Sequence, residues 1–274
     1  MLDSLEFDRK SKKNGRRRFM LKTERQKIIL DLLQKEQHVK VRDLKTRFDV
    51  SDETVRRDLN DLESQGFLRC VHGGAVYNSP TTHEYTVDQR VKQSQQEKEA
   101  ICRKASELVA DGESLAIAAS TTTLFLGNYL ALKNHLTVVT NSVYLANTIA
   151  GNETNKVKLV GGDLWLQEQK VMGADAELGF EQYCVDRAFF SVSGSSTELG
   201  IFEFTEVERN LTRSVIKSAS SRILLSDVSK FGAKAFCRIA GIEAVHEIVT
   251  DWHVSSEMLE PYEALGIRVH KAKL

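Results

Sequence analysis

Two periodicities divide the chain. From residue 23 to 64, apolar side chains recur three and four positions apart, the spacing that lines one face of a helix. Ile28, Ile29, Leu32 and Leu33 predict a first helix with Thr23 as its N-cap. Val41, Leu44 and Phe48 predict a short second helix over 41–48, followed by a turn at Asp49-Val50. Ser51 caps a third helix with apolar positions Val55, Leu59 and Leu62, and Gly66 ends it. FLRCVHGGAVY (67–77) sets two short β-prone runs around His72-Gly73-Gly74, which predicts a tight hairpin. Three helices and such a hairpin make a winged helix-turn-helix over 23–78.

The polar stretch 79–95, with Pro80, reads as a linker. Beyond it the pattern changes to apolar runs alternating with helical segments. The runs are SLAIAA (114–119), LTVVTNS (136–142), VKLVGG (157–162), AFFSVSG (188–194), RILLSD (222–227) and EIVTD (247–251). Near-continuous apolar strands suit a parallel sheet covered on both faces. The fold class is therefore α/β: the winged helix-turn-helix, then a doubly wound, mostly parallel-sheet domain over 96–274.

Composition narrows the function. Of 274 residues, 41% are apolar and 28% charged, enough to build and cover a core. No run approaches the roughly 18 apolar residues of a membrane span. The start, MLDSLEFDRKSKKNGRRR, lacks the apolar segment of a secretory signal. Cys70, Cys102, Cys184 and Cys237 stand far apart, which argues against a disulfide framework or zinc site and for a cytoplasmic location. No cofactor or metal is expected. The net charge of zero hides an asymmetry: residues 1–78 hold 18 Lys+Arg against 13 Asp+Glu, and the remainder 20 against 25. Residues 1–22, with seven basic residues among the ten from Arg9 to Arg18, read as a disordered arm able to touch phosphates.

A basic first domain points to a polyanion. On the third helix, Ser51, Glu53, Thr54, Arg56 and Arg57 lie at the end that would enter a major groove, where arginine bonds guanine in bidentate fashion. Arg69 and His72 in the hairpin would lie against the DNA backbone or minor groove. A plain three-helix scaffold or dimerisation module is the competing reading. The paired arginines, the glycine-turned wing and the basic charge favour double-stranded DNA.

The run SDETVRRDLNDL with HGG following resembles the N-terminal domain of the DeoR family of bacterial transcriptional regulators. The resemblance continues through QQEKEAI (95–101), TVVTNS (137–142), LVGGDL (159–164), VDRAFFSVSG (185–194) and LLSDVSKFGAKA (224–235). It implies a cytoplasmic repressor of carbohydrate-metabolism genes. It also implies a second domain similar to sugar-phosphate isomerases that binds a phosphorylated sugar or polyol. Against the family pattern, Ala118 replaces an Asp, Ser120 a Gly and Thr212 a Lys.

Read from the residues alone, Ser120, Thr121, Thr122 and Thr123 form a hydroxyl-rich turn between a strand and a helix. That is either a helix cap or an anion site. Asn141, Gly161, Gly162 and Lys230 also lie at strand ends, Lys230 offering a charge for a phosphate. Glu206 or Asn141 would meet sugar hydroxyls. An isomerase carrying a DNA-binding domain is the alternative function, with Glu206, Asp227, His135 and Asp163 as candidate bases. None has a spacing that demands catalysis, and a regulator acting as a homodimer or homotetramer is the expectation.

Overall fold

The computed structural model of the chain describes residues 20, 22–36, 38–64, 68–71, 73–77, 91 and 94–274. The chain divides into two compact units, Met1–Asn78 and Ser79–Leu274.

The first unit contains α1 (Lys22–Glu36), β1 (His38–Lys40), α2 (Val41–Phe48), α3 (Asp52–Ser64), β2 (Leu68–Val71) and β3 (Gly74–Tyr77). Ile29, Leu33, Leu44, Phe48, Val55, Leu59 and Leu62 bury one face of each helix in a common core. Helix α1 begins at Lys22, so Thr23 lies inside the first turn instead of capping it. Helix α2 stops where Asp49 turns left-handed, at φ 52°. The hairpin gains a third strand, in the antiparallel order β1-β3-β2. Gly74 permits this, because a Cβ there would lie 2.0 Å from the Val39 carbonyl oxygen. The basic arm before Met20, Gly66, His72 and nearly all of the linker lie outside the described residues.

The second unit is a seven-stranded parallel sheet in the order β15-β14-β12-β9-β4-β5-β6. Its strands are β4 (Ser114–Ile117), β5 (Thr137–Thr140), β6 (Lys156–Leu159), β9 (Val185–Phe190), β12 (Ala219–Ser226), β14 (Glu247–Thr250) and β15 (Arg268–Lys271). One face is covered by α4 (Gln95–Ser106), α5 (Thr123–Leu130) and α6 (Val143–Ala150). The other carries α7 (Ala174–Glu181), α8 (Glu206–Lys217) and α9 (Ser256–Ala264). Phe189 enters the first core and Phe190 the second, both with no exposure. Burial on alternate faces is why these strands read as continuous apolar runs, each such side chain contributing roughly 1.5–3 kcal/mol.

Two smaller sheets hang on this frame: the hairpin β7 (Asp163–Trp165)–β8 (Lys170–Met172), and β10 (Gly194–Ser196), β11 (Gly200–Glu203) and β13 (Cys237–Ala240) in antiparallel order. The strand order reverses between β4 and β9, where Ala118 N–H donates to the Phe189 carbonyl. The crevice beyond the C-terminal ends of two such strands is where open α/β sheets take ligands.

Candidate functional site

The first unit builds a helix face. Ser51 Oγ accepts from Thr54 N–H at 3.2 Å and lies 2.9 Å from the Thr54 hydroxyl, satisfying the start of α3. Lys45 reaches across the turn to Asp52 at 2.8 Å, a hydrogen bond and charge that hold the Asp52 carboxyl below its ordinary value. Inward, Val55, Asp58, Leu59 and Leu62 are buried. Asp58 accepts two hydrogen bonds from the Arg25 guanidinium, at 2.6 and 3.1 Å. That fork fixes the rotation of α3 on α1.

Rotation in turn decides what faces out. Glu53, Arg56, Arg57 and Asn60 are exposed, and Thr54 is half-buried. Arg57 lies 3.5 Å from Glu53 with both side chains largely in water, so the pair holds little energy and can exchange for a phosphate or base. Five of the predicted contacts, Ser51, Glu53, Thr54, Arg56 and Arg57, therefore share the first two turns of one helix. Arg69 lies on β2, though its side chain and all of His72 fall outside the described residues. Asn60 extends the outer face by one turn and was not anticipated; its signal was the position four after Arg56.

In the second unit the loop from Ala118 to Thr123 is folded by its own hydroxyls. Thr123 Oγ1 donates to the Ala118 carbonyl at 2.7 Å and accepts from Ser120 N–H at 2.9 Å. Ser120 Oγ accepts from Thr123 N–H at 3.0 Å. Asn141 accepts from Ala119 N–H at 2.7 Å and donates to the Val171 carbonyl at 2.9 Å. Thr122, Thr123 and Asn141 are buried, so they frame the loop and do not line its mouth. That corrects the expectation that Asn141 meets sugar hydroxyls. Ser120 and Thr121 are half-buried and face outward with the N-terminus of α5, whose dipole favours an anion.

Charges gather beside this loop. Lys98 of α4, buried, points its ammonium at Thr121 Oγ1 from 3.4 Å. Asp227, at the end of β12, is buried. Burial alone would raise its carboxyl, but Lys230, Ser229 and Lys98 together hold it below the ordinary value. Beyond Lys230 lies Glu203, which accepts from the Ser193 hydroxyl at 2.6 Å. Burial, reinforced by the Glu208 charge, raises the Glu203 carboxyl to about 8. Lys170 of β8 pairs with Glu168 at 2.6 Å and Glu208 at 3.0 Å, and these carboxylates outweigh its burial to raise its ammonium. A polar track thus runs from Thr121 through Lys98, Asp227 and Lys230 to Glu203, Glu208 and Lys170.

Glu206 is not on that track. It is exposed and pairs with Arg209 at 3.7 Å, so the carboxylates that join Asp227 on the track are Glu203 and Glu208. Gly161 and Gly162 form the turn from β6 into β7. Gly162 has φ +136°, and a Cβ there would lie 2.5 Å from the Met172 carbonyl, so its part is to seat the hairpin. Thr212 is buried one turn beyond Glu208, where the nearby cation is supplied by Lys170 from another strand. Ala118 lies in the apolar core.

A helix-turn-helix unit joined to a doubly wound unit with a charged switch-point crevice is the architecture of a transcriptional regulator with a sensor domain. The chain belongs to the DeoR family: the DeoR-like helix-turn-helix domain matches residues 25–81 and the DeoR C terminal sensor domain residues 93–252. It is 32% identical over 233 residues to the glycerol-3-phosphate regulon repressor of Escherichia coli (strain K12), covering 85% of this chain and 92% of that protein. It is 30% identical over 250 residues to the HTH-type transcriptional regulator GlpR of Haloferax volcanii, covering 91% and 98%. Among solved structures, a D-ribose-5-phosphate isomerase in complex with phospho-erythronic acid overlaps 50% of this chain and 53% of its own, at 13% identity and a TM-score of 0.36. Among the described residues, no helix is long and apolar enough to cross a membrane.

Proposed function

We propose that the chain is a cytoplasmic, homo-oligomeric repressor of carbohydrate-metabolism genes. It binds double-stranded operator DNA through the outer face of α3, with Arg69 and His72 as wing contacts. A phosphorylated sugar or polyol, seated at Ser120, Thr121 and the N-terminus of α5 with Lys230 as charge partner, controls its DNA affinity. The observation that carries the ligand reading is the Lys98 ammonium 3.4 Å from Thr121 Oγ1, in a hydroxyl-rich loop that leads into the N-terminus of α5 at the switch point.

Calorimetry of the full chain with a panel of sugar and polyol phosphates tests it. Lys230→Ala should weaken effector binding by roughly 1.5–3 kcal/mol, the scale of a hydrogen bond to a charged group, while DNA affinity without effector stays unchanged. If the variant binds phosphates as well as wild type, or only unphosphorylated sugars bind, the site is wrong. Turnover of any member of the panel would favour the isomerase alternative. The candidate bases argue against it: Asp227 is held ionised between lysines, Glu206 and Asp163 are exposed, and His135 sits in the loop before β5, at the opposite end of the sheet.

The second unit is proposed as the oligomerisation surface. Leu159 ends edge strand β6, and Leu164, Leu166 and Leu178 follow on the outer hairpin and α7, all exposed. Apolar side chains beside an unpaired sheet edge are costly to leave in water. Sedimentation at micromolar concentration should return at least a dimer; a strict monomer, with or without operator, defeats this part.

A further inference from the structure

At the N-terminal ends of β12, β14 and β15, across the sheet from the effector loop, lies a cleft of about 440 Å³. That is within the roughly 300–1,000 Å³ typical of small-molecule sites. Ser220, Ser221, His246 and Arg268 line one side of it, and Val245, Leu265 and Ile267 the other. Main-chain bonds set the polar residues abreast. His246 N–H donates to the Arg222 carbonyl at 3.0 Å, and Arg268 N–H donates to the His246 carbonyl at 3.1 Å.

The Arg222 guanidinium lies with Nη2 against the His246 imidazole at Nε2. A guanidinium can only donate, so Nε2 accepts and the ring carries its proton on Nδ1. Burial, then the charges of Arg222 and Arg268, hold the imidazole below its ordinary value and so neutral. Among the described residues, Nδ1–H has no acceptor, and Arg222 Nε is buried without one. The carboxylates nearby do not balance Arg222. Glu247 is taken by Arg268 at 2.8 Å and lies 2.7 Å from His270 Nε2, and the Glu243 carboxylate lies over Gly241. Arg222 thus brings a positive charge with no acidic partner among the described residues to a cleft whose polar wall consists of donors.

We propose that this cleft is a second anion site, which takes a phosphoryl group as inorganic phosphate or as a small phosphate monoester. Three terminal oxygens can serve His246 Nδ1, Arg268 and the exposed Ser220 hydroxyl together, with Arg222 supplying charge behind the imidazole; a carboxylate has only two. Val245, Leu265 and Ile267 leave an apolar wall for the organic part of an ester. The site is independent of the effector loop, which follows the C-terminal end of β4.

Histidine-ring NMR of the full chain, at constant pH and ionic strength, tests this, with the His246 signal identified by its loss in His246→Gln. Inorganic phosphate should move that signal saturably in wild type, and equally in Lys230→Ala, where the other proposed site is altered. Arg222→Met should weaken the response about tenfold or more, as loss of a charge-assisted contact does. Leu265 is 58% exposed, so Leu265→Asp spares the core while setting a negative charge at the mouth, and it should weaken the response as well. Acetate should bind about tenfold more weakly than phosphate, having one oxygen fewer to offer. Phenyl phosphate separates the two sources: tighter binding than inorganic phosphate assigns the site to an ester, equal or weaker binding to free phosphate. The proposal is overturned by the lack of a saturable shift up to about 20 mM phosphate, by an unchanged response in either variant of the cleft, or by acetate binding as tightly as phosphate.

Discussion

Asp58→Ala is expected to destabilise the N-terminal unit by about 3–5 kcal/mol, the cost of removing one partner from a buried ion pair. Asp58 is 2% exposed and Arg25 11%, and the guanidinium spends two of its donors on that carboxylate. Removal leaves a buried charge with the Met20 carbonyl, at 2.7 Å, as its remaining partner in the fork. Because this pair sets how α3 sits on α1, DNA binding should fall along with stability. A combined Arg25→Met, Asp58→Leu variant should recover most of the stability, since an apolar pair of similar volume is often neutral or better than a buried ion pair. Denaturant unfolding followed by helix signal checks both. A loss below about 1 kcal/mol for Asp58→Ala would show that the fork is dispensable.

Arg56→Ala and Arg57→Ala, made singly and together, should each weaken operator binding by roughly 1–3 kcal/mol if the guanidinium reads a base, with preference relaxed at one base pair. An arginine that touches only phosphate behaves differently: affinity falls alike for all sequences, and the salt slope shrinks by about one unit. The geometry makes Arg57 the better phosphate partner to test first, because its exposed Glu53 contact is easily exchanged. Folding should be untouched, as neither side chain enters the core. Fluorescence titration across a salt series separates the two behaviours, and unchanged operator affinity in the double variant would defeat both.

What the sequence made legible followed from repeated, local signals. Helix α2 occupies the residues its apolar spacing marks, 41–48, and Ser51 caps α3 through its hydroxyl as its position implied. The six apolar runs all overlap strands of the large sheet: five are inner strands, buried on both faces, while β6 at the edge keeps Lys156, Lys158 and Leu159 exposed. Strands β1, β7, β8, β10, β11, β13 and β15 escaped notice: at three or four residues each they carry little period, and their partners define them. The site was half legible. Hydroxyls at a strand end and Lys230 were visible as a pattern, whereas Glu208 and Lys170 meet only through folding, 38 residues apart in the chain. Glu206 stood out because it opens a helix, but its neighbour two places on turns inward. Lys98 lay within the stretch QQEKEAI, where only its burial would have marked it.

The reversal of strand order has a consequence in time. Strands β4 and β9 are neighbours, yet Ser114 and Asp186, bonded at 2.6 Å, are 72 residues apart in the chain. Contacts between such distant segments form slowly, since the loop between them must close first. The helices of the first unit use close neighbours, and that unit leaves the ribosome earlier. A newly made molecule should thus acquire its groove-reading helix before Asp227 and Lys230 are even translated. Until the second unit folds, it would lack both the proposed effector site and the proposed oligomerisation surface, a lag measurable as a delayed effector response in a pulse of synthesis.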